Sequence, residues 1–390
     1  MKIDEKLVRK EYKKLLGNYY GMFYDPLDDY FNDCGWCAIL SDRSRGKTTN
    51  VLLLGMLLNK LYNIIPHYIR RRSEDIANRN IKDMFNVIRE CDENYIEKLT
   101  NGKYNDVVYD SRRWYYCRSN EEGIQEKAKD HFMICMSIDS ADNYKSTYNC
   151  PTGDFIIEDE FIPLRTNLYI QDQFVNLLDI VKTVFRDRST GCKIFCLSNV
   201  ISKYSPYFNE WGCAKEVQKL KAGEYFIHQT TVGTKVMVKF MTHTLSKKRQ
   251  LANSKFFGFD NPKLGMLNNA QWQLKMYPHP LFRVKDTELI DKNIFVKHAE
   301  QLLQLELRLD PKIGLFVVVH NSTADLNDKP YKVVYTLETH FDKQYKFGMG
   351  NRPIDNKIWN LYSRNRFYYA DNDCGALLED FIVNCKRKMR

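Results

Sequence analysis

No apolar run in this chain of 390 residues is longer than Val51 to Leu58. That is far short of the roughly 20 residues a helix needs to cross a bilayer, so no membrane partner is expected. The first residues, Met1-Lys2-Ile3-Asp4-Glu5-Lys6, are charged where a secretory leader would be apolar, which argues against an oxidising compartment. Cys34 and Cys37 are spaced as C-x-x-C, yet no second Cys or His pair follows at zinc-finger distance. A disulfide scaffold and a zinc module are therefore excluded, and the 11 cysteines are expected to be free thiols, mostly in the core. Internal repeats and low-complexity segments are also missing. Acids are outnumbered by bases, 49 to 59, and the resulting net charge of +10 suits a polyanionic partner without identifying one. The length and a hydrophobic content of 44% leave room for two domains with proper cores.

What is present begins with Gly35-Trp36-Cys37-Ala38-Ile39-Leu40, then Ser41-Asp42-Arg43-Ser44-Arg45-Gly46-Lys47-Thr48-Thr49, then Val51 to Leu58. This reads as strand, phosphate loop and helix. The pattern G-x-x-x-x-G-K-[ST] is intact from Gly46 onward, with Ser41 standing at the first glycine. Loop N–H groups and the helix N-terminus make an anion site, Lys47 supplies charge for the outer phosphates, and the Thr48 hydroxyl is a ligand for Mg²⁺. A nucleoside triphosphate is the implied ligand. Arg43 and Arg45 are expected either to crowd positive charge around it or to be solvated. Upstream, a helix over Asp4 to Leu16 leads into the aromatic segment Tyr19 to Pro26, whose Tyr24 is read either as cover for the base or as part of a packed turn.

Further on, Pro66 to Arg72 is a short strand ending in three arginines, and Ser73 to Leu99 has helical spacing. A hairpin is expected over Gly102 to Arg118 and a buried strand over Phe132 to Ile138. The strand Phe155-Ile156-Ile157-Glu158-Asp159-Glu160-Phe161 ends in acids. Asp159 is the expected metal carboxylate and Glu160 the catalytic base, with Glu158 leaving the register open by one residue. A helix from Asp172 to Phe185 runs into Arg186-Asp187-Arg188, where an arginine is free to reach out of its own subunit. The next strand, Lys193 to Leu197, ends in Ser198-Asn199, and Asn199 is placed to sense the γ-phosphate or to cap a turn. Strands alternating with helices make the class α/β. Two strands follow, at 225–227 and 236–238, and Thr242 to Lys292 looks irregular. The last unit reads as a helix from Phe295 to Leu307, strands Gly314 to Val319 and Tyr331 to Glu338, and a helix Gly375 to Cys385 ending in Lys386-Arg387-Lys388. The expected divisions are 1–230, a connecting region 231–290, and 291–390.

With these residues in place the chain resembles the DNA-packaging ATPases of tailed phages, and most closely the short encapsidation ATPases of small short-tailed phages, within the large-terminase group. The resemblance runs through Phe23-Tyr24-Asp25-Pro26, the loop Ser41 to Thr49, Tyr68-Ile69-Arg70-Arg71, Ser140-Ala141-Asp142-Asn143-Tyr144-Lys145-Ser146, Asp154 to Phe161, and Val184-Phe185-Arg186-Asp187-Arg188 leading to Leu197-Ser198-Asn199. It implies a P-loop NTPase of the additional-strand catalytic-glutamate type that uses ATP and Mg²⁺. It further implies a homo-oligomeric ring, commonly a pentamer, attached to the procapsid portal in the host cytoplasm and driving double-stranded DNA inward. Lys145 and Arg186 or Arg188 occupy positions where the family places basic residues acting on a neighbour's nucleotide. Ser41, Arg43, Ser44, Arg45, Gly46, Lys47, Thr48 and Thr49, with Tyr24, would bind the nucleotide, and Thr48 and Asp159 the metal. The C-terminal α+β unit is expected to resemble a vestigial ribonuclease-H-like nuclease, because Leu315 to Val319 lacks the first-strand Asp; Asp325, Asp371 and Asp373 are read either as converging on a metal or, by preference, as solvated loop acids. That unit should bind DNA or the portal without cutting. Two other readings stand beside this one: a P-loop phosphotransferase, and a non-catalytic NTP-dependent interaction module, the latter suggested by Ser41 and Glu158.

Overall fold

The computed structural model describes residues 3–42, 45–90, 93–145, 148, 150–163, 168–188, 191–199, 202–241, 276–280, 283–326, 332–348 and 354–387, without the side chains of 386 and 387. It divides into two compact units, one of Met1–Pro163, Asp172–Ile201 and Leu220–Gln271, the other of Leu164–Gln171, Ser202–Lys219 and Trp272–Arg390. No helix among the described residues is long and apolar enough to cross a membrane.

The first unit is a mixed α/β fold built on a sheet of β1 (Trp36–Ser41), β2 (Pro66–Arg70), β3 (Asp106–Asp110), β4 (Arg113–Asn120), β5 (Gly123–Ser137), β6 (Phe155–Asp159), β7 (Lys193–Asn199), β8 (Tyr225–Gln229) and β9 (Lys235–Phe240). Among the described residues the order is β3-β4-β5-β2-β6-β7-β1-β9-β8. From β5 to β9 the pairs are parallel, while β3-β4-β5 and β8-β9 are antiparallel margins. Strands covered on both faces must be apolar throughout. Accordingly β1 is buried at every position, as is β7 up to its last residue. The helix Lys47–Tyr62 follows β1, and its residues Val51 to Leu58 are all buried. Because β7 lies between β1 and β6, three polar strand tips fall together, with Ser41 opposite Asn199 and Asp159 opposite Leu197.

Two elements differ from expectation here. Ser73 to Leu99 is not one helix but short pieces, Ser73–Ile76, Asn78–Ile81, Asn86–Arg89 and Tyr95–Thr100. Asn and Asp side chains interrupt it by bonding nearby backbone, as Asn94 does to the N–H groups of Ile96 and Glu97 at 2.9 and 3.3 Å. And β9, which falls inside the expected connecting region, pairs with β1 in the sheet; residues 242–275 of that region lie outside the described residues.

The second unit has β10 (Glu288–His298), β11 (Gln301–Asp310), β12 (Gly314–Asn321), β13 (Val333–Thr336), β14 (Tyr345–Phe347) and β15 (Phe367–Tyr369), in the order β14-β13-β10-β11-β12-β15 among the described residues. The helices Asn356–Ser363 and Asn372–Arg387 complete it. Phe295 to Leu307, expected as a helix, is the hairpin of β10 and β11, with Val296 opposite Leu303 and Ile294 opposite Leu305. Its buried residues Leu303, Leu305 and Leu307 alternate with half-buried ones, the period of a strand. They pack with Val317, Val319, Leu378 and Phe381. The hairpin turns at Ala299 and Glu300, both with positive φ, 47° and 57°. A two-residue turn of this kind favours Asn-Gly, and each non-glycine residue held there costs about 1 kcal/mol. Replacing Ala299-Glu300 with Asn-Gly should therefore raise stability by about 1 kcal/mol in chemical denaturation. Leu315 to Val319 lies in the third strand of this sheet, not the first as expected. The first, β10, carries Glu288 and Asp291.

Candidate functional site

Gly46 precedes the helix Lys47–Tyr62 with φ of 76°, and a Cβ there would stand 2.9 Å from Phe23 Cβ. Backbone and neighbour both demand glycine. The next residue, Lys47, is only 7% exposed. Its Nζ donates to Ser41 Oγ at 2.5 Å and Asp42 O at 3.2 Å, and lies 3.4 Å from Asn199 Oδ1. Ser41 thus uses its hydroxyl to aim the lysine. Burial depresses the Lys47 pKa to about 8, against the pull of the Asp159 and Asp42 carboxylates.

Thr48 Oγ1 faces both carboxylate oxygens of Asp159 at 3.2 Å. Asp159 also accepts from Tyr68 OH at 2.9 Å and lies 3.8 Å from Arg70 Nη1. Burial lifts its carboxyl above the usual range, while the Arg70 charge and the Tyr68 and Thr48 hydrogen bonds oppose the rise. A hydroxyl and a carboxylate face to face are hard oxygen donors of the kind Mg²⁺ takes, and the residues fit that ion. Of the acids that left the register open, Glu158 is 1% exposed within the sheet, opposite Cys196, whereas Asp159 meets Thr48.

Glu160 follows with φ of 59°, a costly conformation for a residue with a side chain. Its carboxylate accepts from Arg70 Nη2 at 2.7 Å and its carbonyl from Arg71 Nη2 at 2.6 Å. Sequence alone gives no role to the three arginines that close β2; the pairing of β2 with β6 brings two of them, Arg70 and Arg71, to Glu160.

Other expected residues are placed as follows. Arg45 is 6% exposed and bonded through both Nε and Nη2 to Asp42, so a carboxylate meets its charge. Thr49 is half-buried in the first turn, and Arg43 and Ser44 lie outside the described residues. Tyr24 is 3% exposed. Its OH donates to Asp29 at 2.7 Å, its carbonyl accepts from Asn50 at 2.5 Å, and its N–H donates to Arg45 O at 3.1 Å. It supports the loop from beneath rather than offering a ring face. Lys145 bridges Asp142 at 2.7 Å and Asp179 at 3.1 Å. Arg186 is exposed and donates to Tyr148 O at 2.8 Å. Arg188 is tied to Asp154 at 2.6 Å and to the carbonyls of Val184, Gly153 and Cys150. Lys47, Thr48, Asp159, Glu160 and Asn199 are thus brought together at three neighbouring strand tips, while Lys145, Arg186 and Arg188 are held elsewhere on the same unit. In the second unit, Asp371 accepts from Cys374 N at 2.7 Å. No group of three His, Cys, Asp or Glu there or elsewhere among the described residues is placed to hold a metal ion.

Residues 73–225 match the family model of the podovirus DNA encapsidation protein, Gp16. A DNA packaging protein of Bacillus phage B103 is 43% identical over 70 residues, which is 18% of this chain and 22% of that protein. The match therefore spans about a fifth of the relative's length. Two solved structures share the fold. The bacteriophage Phi-29 viral genome packaging motor assembly superposes with a TM-score of 0.55 at 18% identity, covering 95% of this chain and 100% of that one. The Phi-28 gp11 DNA packaging motor does so with 0.54 at 17%, covering 94% and 98%. Over residues 73–225 the chain is thus similar in sequence to the podovirus DNA encapsidation protein, and over nearly its whole length it shares the fold of two phage DNA-packaging motor structures.

Proposed function

We propose that the chain is the ATP-hydrolysing subunit of a phage DNA-packaging motor, working as a homo-oligomeric ring, with five subunits the expected number, on the portal of a procapsid in the host cytoplasm. The observation that carries this reading is the convergence of Lys47, Thr48, Asp159, Glu160 and Asn199 at the tips of β1, β6 and β7. The strand β7 inserted between β1 and β6 supports the additional-strand catalytic-glutamate class.

In this reading the loop N–H groups and Lys47 hold the β- and γ-phosphates, and Asn199 senses the γ-phosphate beside Lys47. Thr48 and Asp159 would hold Mg²⁺, which when bound neutralises charge on the phosphates. Glu160 orients a water and takes its proton as the water oxygen bonds to the γ-phosphorus and the bond to ADP breaks. To do so its carboxylate must leave Arg70. Lys47 must be cationic to hold phosphate. With a pKa near 8 in the free protein it is charged below that pH and becomes neutral above it. ATP affinity should accordingly be level below pH 8 and fall by up to about tenfold per unit above it, with uptake of a proton on binding seen by calorimetry in buffers of different ionisation enthalpy.

Arg186 is the finger offered to the neighbouring subunit, because it is exposed with one backbone partner, whereas Arg188 is spent on a carboxylate and three carbonyls. Arg186→Ala should lower turnover on the order of a thousandfold. Mixing it with Lys47→Ala subunits should restore some hydrolysis at hybrid interfaces. Arg188→Ala should instead destabilise the fold, by about 2 kcal/mol from its lost hydrogen bonds. Lys145 acts on the same neighbouring nucleotide. Purely additive loss in the Arg186 mixture would contradict a role in trans.

The 291–390 region is proposed as a ribonuclease-H-like domain that contacts DNA or the portal. The meander β10-β11-β12 continued by parallel β13 and β14 supports that fold. Its duplex binding, through positions such as Arg364 and Arg366, should fall steeply with salt and vary little with sequence in fluorescence titrations. Because the first strand carries Asp291, the expectation that this region does not cut with Mg²⁺ or Mn²⁺ rests instead on the described residues, among which no three His, Cys, Asp or Glu are grouped to hold a metal; cutting abolished by Asp291→Ala, Asp325→Ala or Asp371→Ala would overturn it.

A further inference from the structure

One carboxylate ties the turn after β2 to the segment after β5. Asp139 accepts from Ser73 N at 3.0 and 2.9 Å with its two oxygens and from Ser73 Oγ at 3.2 Å. In return its own N–H donates to Arg71 O at 3.1 Å. Burial would raise its carboxyl pKa, but hydrogen bonds from the Ser73 backbone and hydroxyl and from Ser140 Oγ at 3.1 Å hold it below the usual range, as suits an anion with dedicated donors.

The bonds run in both directions, so neither segment can shift alone without breaking charge-assisted contacts. On one side, the preceding residues Arg70 and Arg71 grip the side chain and carbonyl of Glu160. On the other, Asp139 lies in the first turn of the 3₁₀ segment Ile138–Tyr144, which is kinked at Ser140 and capped by Lys145. Lys145 is in turn bridged to Asp179 of the helix Gln173–Phe185, which Arg186 follows.

We propose that Asp139 is a positioning residue that joins the two halves of the hydrolytic apparatus, passing the release of Glu160 in one subunit to the Lys145 segment that the subunit presents to its neighbour. The inference rests on the reading of the chain as a ring hydrolysing ATP at subunit interfaces. Asp139 touches neither nucleotide nor water. Its role is to make the state of one site felt at the next, which a coupling measurement alone can establish.

The test is a dilution series of full-length active subunits with Lys47→Ala subunits, reading DNA-stimulated phosphate release relative to each undiluted sample. In the wild-type background, turnover at equal mixture should fall well below half, because one dead site stalls its neighbours. In the Asp139→Asn background it should stay near half, with the KM for ATP unchanged. Ser73→Ala, which removes one hydroxyl and leaves the backbone bonds, should give an intermediate curve. A double substitution of Asp139→Asn with Arg71→Ala should be no less steep than either alone. An Asp139→Asn curve as steep as wild type overturns the proposal while leaving the interface reading standing. A wild-type curve that is already linear overturns the interface reading and this inference with it.

Discussion

Lys47→Ala is expected to abolish ATP hydrolysis, by at least about a hundredfold to a thousandfold, the loss typical of a preorganised charge removed from a developing anion. The lysine is 7% exposed and aimed by Ser41 and Asp42, so its charge is already desolvated and directed before nucleotide arrives. The expected mark of the variant is weakened ATP binding together with lost turnover. Because Lys47 is held by a serine hydroxyl, Ser41→Ala should show a smaller loss of the same kind, whereas a glycine-like role for position 41 would leave it silent.

Glu160→Gln should behave differently. It keeps the shape of the side chain and a hydrogen-bond acceptor for Arg70, but removes the proton acceptor for water. Mg·ATP should therefore bind as tightly as to wild type, while turnover falls by about 10² to 10⁴. Equilibrium binding of ATP beside steady-state phosphate release separates the two effects. Normal turnover in Glu160→Gln, with loss in Glu158→Gln, would mean that the roles along β6 are misassigned. The geometry speaks against that outcome, since Glu158 is sealed in the sheet and Asp159 already faces Thr48.

The strand, loop and helix around Gly46, the acidic end of β6 and the place of Asn199 at the end of β7 were legible in the sequence because each is announced by contiguous residues: an apolar strand, then the polar tip that ends it. The parts that stayed hidden are those made by distant pairing or by unusual turn chemistry. Arg70 and Arg71 reach Glu160 only because β2 pairs with β6, with Ile69 opposite Glu158. Nothing local to the three arginines says so. Arg45 reads from sequence as a charge for the nucleotide or as solvated, and only the fold shows that it turns back onto Asp42, three residues before it. The β10–β11 hairpin was read as a helix because its turn, Ala299-Glu300, has neither Asn nor Gly, and the leucines that follow also fit a helical stripe. The long helix expected after Ser73 failed for the converse reason. Its spacing was helical, but side chains along it bond the backbone instead, as where Asn94 caps a fresh start at Tyr95 through the N–H groups of Ile96 and Glu97. Arg186 and Arg188 were indistinguishable as a basic pair, and only their partners, one carbonyl against a carboxylate and three carbonyls, tell them apart.

The measurement that bears most directly on the central claim is the fate of the γ-phosphate of ATP on the purified full-length protein, with and without duplex DNA. The account predicts release of inorganic phosphate to water, stimulated by duplex DNA and lost in Lys47→Ala. Tight ATP binding without phosphate release, or transfer of the γ-phosphate to an acceptor other than water, would contradict it.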